Sequence, residues 1–154
     1  MHVLTKEMAE KAVELALPSI IAAMKNGSVK REAIHLVVAI RREGMVGGGE
    51  ILFQHSINEA LWEKPYGDIA KSKAGISLRT GLPTSLVQAE RPDLLVWGDT
   101  VFYGSAVRGG IVTAASGVEP WNDEMFSGWV ADACVALCKG AHAAAVASGK
   151  IFLS

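Results

Sequence analysis

Lys73 stands out among the ionisable residues because of its neighbours. At 100° per residue along a helical segment it projects between Ile69 and Ile76, on an apolar stripe, while Lys71 points elsewhere. A lysine placed there either snorkels its ammonium out to solvent or to a carboxylate, or is held for a task. Desolvation lowers its pKa and suits it to act as a base, a Schiff-base former or an anion clamp. Arg108, beside Gly109-Gly110, carries a planar fork that matches a carboxylate ligand, with a surface ion pair as the alternative. His35 and His55 fall on two adjacent strand-like runs. If the hairpin register sums to 90 they face each other, as a pair able to ligate a metal or heme iron, or as ordinary core or pocket-wall histidines. No third ligand is visible, so no metal site is assigned. Trp121 and the other large aromatics read as core or interface residues. A few of them around a flat pocket would suit a tetrapyrrole or an aromatic acid.

Other chemistries find no support. The sequence contains no nucleophile elbow, P-loop, HExxH or zinc CxxC pattern. Cys134 and Cys138 stack on one helix face, which suits small core side chains better than a disulfide or a four-ligand zinc site. The net charge is −1 with the charges interspersed, so there is no basic stripe for nucleic acid. No basic, apolar leader opens the chain and no run of 18 or more apolar residues interrupts it, which predicts a cytoplasmic protein without a membrane span. Half of the 154 residues are hydrophobic and only 20% are charged. That is more apolar than a small monomer needs, and it predicts a homo-oligomer.

The elements that position these residues read as α, β, β, α, β, β(β), α within one domain, residues 1–154. Thr5 caps a helix running to about Lys25, which Pro18 kinks or divides and Asn26-Gly27-Ser28 stops. Ala33 to Arg41 is almost continuously apolar and β-branched-rich, as expected of a central strand. Glu50 to Ile57 pairs with it across a glycine-rich loop, with Ile51, Phe53, His55 and Ile57 on one face. Asp68 caps a helix that ends at Gly81 and Pro83, and Thr84 to about Ala89 adds a short turn. Leu94 to Ser116 holds two or three strands, with Gly98-Asp99 and Gly104-Ser105 both able to close two-residue hairpins. The last helix runs from about Trp121 to Ser148. Pro120 fits its entry, Asp123 and Glu124 complement its dipole, and Lys150-Ile151-Phe152-Leu153 follow as a candidate edge strand. Hairpin connections without βαβ alternation predict an α/β (α+β) sandwich: a mainly antiparallel sheet of about five strands flanked by helices.

Several segments resemble the GlcG/HbpS-like family. Asp68-Ile69-Ala70-Lys71-Ser72-Lys73-Ala74-Gly75 is similar to the family's "iA…KA" helix, and Pro83-Thr84 to the "pT" after it. Gly109-Gly110-Ile111-Val112-Thr113-Ala114-Ala115-Ser116-Gly117 looks like the "GaIGVSG" strand, Asp123-Glu124 matches the "De" of the last helix, and Leu4-Thr5 fits the opening. Together they cover about two-thirds of the chain in order. The resemblance implies a profilin-like oligomeric domain with a small-molecule pocket, in some members a heme pocket and in a relative a corrinoid one. It marks Lys73 and Asp123 as catalytic candidates, with Asp123 orienting a pocket group or bridging subunits. It adds Thr84, Gly109 and Gly110 to His35, His55, Arg108 and Trp121 as ligand-binding candidates. Two places depart from the family pattern. Val38-Ala39-Ile40-Arg41-Arg42 stands where a "VDagG" turn is usual, and the Trp97 to Tyr103 stretch is longer and more aromatic.

Two readings of the site result. The first, implied by the resemblance together with the aromatic and glycine-rich segments, is an oligomeric protein that binds heme, a corrinoid or another flat aromatic molecule. The second is a small catabolic enzyme acting on a carboxylated metabolite, aromatic or not, using Lys73 and Arg108.

Overall fold

The computed structural model describes residues 2–154 and shows a four-stranded antiparallel sheet between two layers of helix. Helix α1 spans Lys6–Lys25 and begins at Thr5, whose Oγ1 accepts the Met8 N–H at 3.1 Å. That bond satisfies one of the donors a helix start leaves open. Pro18 lies inside α1 without dividing it. Strand β1 (Ile34–Arg41) is buried throughout except at Arg41, as a strand covered on both faces must be. Strand β2 (Gly49–Ile57) pairs with it, and helix α2 (Tyr66–Thr80) follows. A short helix, α3 (Thr84–Glu90), leads through an irregular stretch to β3 (Ser105–Arg108) and β4 (Ile111–Ser116), and α4 (Pro120–Ala147) closes the chain.

The strand order is β2-β1-β4-β3. Ile34, Leu36, Val38 and Ile40 turn one face of β1 toward α1 and α4, where they meet Phe126, Val130 and Cys134. Val37 and Ala39 turn the other face toward Ala70, Ala74 and Leu78 of α2, together with Val112 and Ala114 of β4. The period-2 alternation of a strand thus feeds two separate apolar layers from one continuously hydrophobic run.

The details differ from the sequence reading in five places. The sheet has four strands rather than about five, because residues 150–153 stay outside it and remain exposed. The hairpin joining β3 and β4 turns at Gly109-Gly110, with Arg108 opposite Ile111, and neither Gly98-Asp99 nor Gly104-Ser105 closes a hairpin. Several glycines in this stretch offer the same local signal, and the pairing is decided by which flanking residues fill the layers. Asp68 lies in the first turn of α2, one turn inside the Pro65 cap position. In β2, a register shift opposite Val38 and Ala39 leaves Leu52 without a partner. Such a bulge moves Leu52 into the α1/α4 layer and detaches Ile51 from the face of Phe53, His55 and Ile57. Finally, of the aromatics read as core or interface residues, Trp97 and Trp121 lie on the surface and outside the core.

Helix α4 is long and apolar enough to cross a bilayer by length and composition, with a mean hydropathy of 1.4 over its most apolar window. Its first half covers the sheet and supplies the core residues Phe126, Val130 and Cys134, while the stretch from Lys139 onward is largely exposed. Burial pushes the Cys134 thiol up to about 12, with the neighbouring Cys138 adding to it. Cys134 is therefore an inert packing residue, and both cysteines are unbridged.

Candidate functional site: a buried lysine–aspartate couple beside a small hollow

Lys73 and Asp123 come from opposite layers of the sandwich and meet where β4 leaves the sheet. Lys73 is only 1% exposed, and Asp123 only 2%. The Lys73 ammonium donates to the Ala115 carbonyl at 2.8 Å and to Asp123 Oδ2 at 3.2 Å. The second carboxylate oxygen of Asp123 accepts the Val118 N–H at 3.2 Å. The helical spacing that put Lys73 on an apolar stripe holds, because Ala70 and Ala74 sit beside it on the face of α2 that packs on the sheet.

One turn on from Lys73, Ser77 joins a set of buried hydroxyls that holds the Gly104 segment in place. Ser77 Oγ donates to the Leu82 carbonyl at 2.7 Å and lies 2.8 Å from Ser105 Oγ, which accepts the Thr84 N–H at 2.9 Å. Thr84 Oγ1 accepts the N–H groups of Gly104 and Ser105 at 2.9 and 3.1 Å. The Gly104 carbonyl accepts from Ser127 Oγ at 2.6 Å and from the Ala115 N–H at 3.1 Å. With donor and acceptor both engaged, Gly104 is held against the couple. A Cβ there would stand 2.7 Å from Asp123 Cβ and 2.8 Å from Lys73 Nζ, on a backbone with φ of +149° that side chains rarely adopt.

A hollow of about 250 Å³ opens beside the couple. Lys73, Asp123, Tyr66, Ser116 and Gly117 form part of its wall, and Arg31, Lys64, Phe102 and Glu119 also line it. Lys64 Nζ stands 4.8 Å from the centre of the Phe102 ring. Among the described residues neither Arg31 nor Lys64 is ion-paired, whereas Arg42, Arg79, Arg91 and Arg108 all are.

The other sequence candidates lie elsewhere. Thr84 is buried in the hydroxyl set, outside the lining of the hollow, and braces the Gly104 segment. Arg108 pairs with Asp132 at 2.9 Å and lines a second groove, of about 460 Å³, together with Trp121 and Trp129. Gly109 and Gly110 form the hairpin turn. The two histidines are not opposed: His35 pairs with Ser56 and His55 with Leu36, a register summing to 91 that turns them to opposite faces. Both ring nitrogens of His35 are occupied, Nδ1 by Ser56 Oγ at 2.7 Å and Nε2 by Gln54 Oε1 at 2.9 Å. Among the described residues no group of three or more His, Cys, Asp or Glu side chains is placed to hold a metal ion. Sequence reasoning passed over Arg31, Lys64, Ser77, Gly104, Ser105 and Ser127. Ser77 was within reach of the helical spacing that singled out Lys73, four residues earlier.

Burial pushes the Asp123 carboxyl up to about 7, against the pull of the Lys73 charge and the Val118 and Gly117 amides. It likewise holds Lys73 below its usual range, against the attraction of Asp123. Desolvation therefore disfavours the charged form of both partners, and each depends on the other to offset that cost. Unfolded, Asp123 loses its proton near pH 4; folded, it keeps it to about 7. Between those values the native state binds the extra proton, so this group's contribution to stability is full below the window and lost as pH rises through it. Lys73 acts in the opposite sense in the alkaline range, because its folded pKa lies below its unfolded one. Urea unfolding of the wild type between pH 5 and 6.5 is expected to lose stability with rising pH faster than Asp123→Asn, by about 1 kcal/mol per pH unit. Parallel slopes for the two proteins would contradict the raised carboxyl.

No protein-family model matches this chain, and no curated protein matches it either.

Proposed function

We propose that the protein binds a small carboxylated metabolite in the Lys73–Asp123 hollow and performs acid–base chemistry on it. The observation that carries this reading is the buried Lys73–Asp123 couple sharing one hollow with Arg31 and Lys64, two cations without ion-pair partners. Unpaired cations suit a ligand carboxylate, and a buried couple with its carboxyl near neutrality suits proton transfer at physiological pH. About 250 Å³ lies below the ~300–1,000 Å³ usual for drug-sized ligands, which favours a compact acid over a heme or corrinoid at this point. Arg108, named from the sequence as the carboxylate clamp, yields that role to Arg31 and Lys64, since it is already paired with Asp132.

The same reading takes the protein to be a cytoplasmic homo-oligomer of GlcG/HbpS-like, profilin-like type. What supports assembly is the exposed apolar end of the molecule, where Val146, Ile151, Phe152 and Leu153 lie open beyond the sheet.

The test is thermal unfolding with L-lactate, pyruvate and succinate, run beside gel filtration of the same samples. At a hundredfold excess over Kd a bound acid is expected to raise Tm by about 5 °C. The Arg31→Ala/Lys64→Ala variant is expected to lose that rise with little change in its unliganded Tm, because neither residue is ion-paired and the Lys64–Phe102 contact is a weak one. A shift that survives the double variant, or a stoichiometric Soret change with hemin and no response to any acid, would overturn the reading.

A further inference from the structure

We propose that Lys73 is a nucleophile, and that it condenses with the carbonyl carbon of a small 2-oxo acid to form an imine in the hollow. This rests on the carboxylate reading above and names the substrate class within it.

Three features of the geometry point this way. First, a lysine that served only to balance a buried carboxylate would need no cavity beside it, yet Lys73 is in the wall of one. Second, its position is fixed from several sides. Ala115 and Asp123 hold the nitrogen, and the clamped Gly104 segment leaves no room for a side chain between itself and that nitrogen. An amine attacks a carbonyl well only when it is neutral and held in place. Third, the acid needed for the dehydration is already in contact, as Asp123 Oδ2 is 3.2 Å away. A free carboxylic acid without a carbonyl would use Arg31 and Lys64 but leave this nitrogen with nothing to do.

The step balances within the couple. The Lys73 lone pair forms a bond to C2 of the oxo acid, and the carbonyl oxygen takes the Asp123 proton. The nitrogen then returns a proton to Asp123, which leaves a neutral carbinolamine. Asp123 gives that proton to the hydroxyl, the C–O bond breaks and water leaves. The product is an iminium facing an aspartate and one water, with the same zero net charge as the neutral amine and carboxylic acid from which the step starts and no change of oxidation state. Arg31 and Lys64 hold the substrate carboxylate throughout. The iminium draws electrons from the C2–C3 bond region, so a proton on C3 becomes removable, and Asp123 is the base in reach.

Borohydride treatment of the wild-type protein with pyruvate is the test. Mass spectrometry is expected to find one reduced pyruvate per chain, and peptide mapping is expected to place it on Lys73. Mapping on the native sequence keeps the result independent of whether Lys73→Met folds. Asp123→Asn is expected to slow adduct formation by about 10²–10⁴-fold. In D2O the pyruvate methyl protons are expected to exchange in the presence of wild type and not of Lys73→Met. Saturable protection by both lactate and pyruvate with no borohydride adduct would overturn the imine while leaving the carboxylate reading intact. An adduct on Lys64 or Lys71 instead would also overturn it. Absence of binding by either acid would remove both.

Discussion

Lys73→Met, with Asp123 left in place, is expected to lower the unfolding free energy by about 3–5 kcal/mol. The magnitude follows from what is left behind. The carboxyl of Asp123 stays buried at 2% exposure without its cation, and the Ala115 carbonyl loses the donor that stood 2.8 Å away. Breaking one side of a buried pair costs far more than the pair contributes, because desolvation of the survivor is no longer offset. The double variant Lys73→Met/Asp123→Leu tests this directly. It removes both charges and fills similar volume, so it is expected to recover at least ~2 kcal/mol of the single-variant loss. Full recovery is not expected. The Val118 N–H and the Ala115 carbonyl each lose a partner, at about 1–3 kcal/mol for a buried group. Urea unfolding of the wild type, both singles and the double completes the cycle. Additive losses would show that Lys73 and Asp123 act independently, and that the 3.2 Å contact is incidental.

Gly117→Ala is expected to be at least as damaging, for a reason that has nothing to do with charge. Gly117 follows β4 with φ of +151°, and a Cβ there would run into the Ala33 carbonyl and stand 2.7 Å from Ile34 Cα. Both obstacles are main chain at the start of β1, the central strand, and neither can rotate away. The cost is expected to exceed ~4 kcal/mol, the range in which a core packing defect becomes diagnostic. Gly75→Ala is the matched control. Gly75 lies inside α2 with open space where a Cβ would go, so alanine there is expected to stabilise by about 0.5–1 kcal/mol. Thermal denaturation of the two variants should therefore move in opposite directions. A mild effect at Gly117 would mean that the β4–β1 approach is looser than the structure shows. Because Gly117 also lines the hollow, any Gly117→Ala protein that folds is expected to bind acids poorly.

Much of the frame was legible in the residues. The nearly continuous apolar run at residues 34–40, broken by His35, reads as a doubly covered strand, and Thr5 reads as the cap of a helix that Asn26-Gly27 ends. The 3.6-residue period singled out Lys73 before any coordinates, because one charge on an apolar stripe is a local contradiction that invites an explanation. What stayed hidden depends on pairing between distant residues. Ile51 and Leu52 are both apolar, so nothing in their order reveals the bulge that swaps which of them enters the core. That one-residue offset is what separates His35 from His55. The glycines at 98, 104, 109 and 110 are equivalent as turn formers until β3 and β4 choose a register. Arg31 and Lys64 lie in connecting segments, where no periodicity says which way a side chain points. The hydroxyls of Ser77, Ser105 and Ser127 become a site only once three separate elements are folded together.

The length of α4 has a mechanical consequence for the couple. At 1.5 Å per residue, Val130, where the helix is anchored in the core, lies about 10 Å from Asp123 and about 24 Å from Val146. The helix is thus a lever with a short inner limb and a long outer one. The core contacts of Phe126, Val130 and Cys134 stand between that outer end and Asp123, so bending of the exposed stretch is resisted before it reaches the couple.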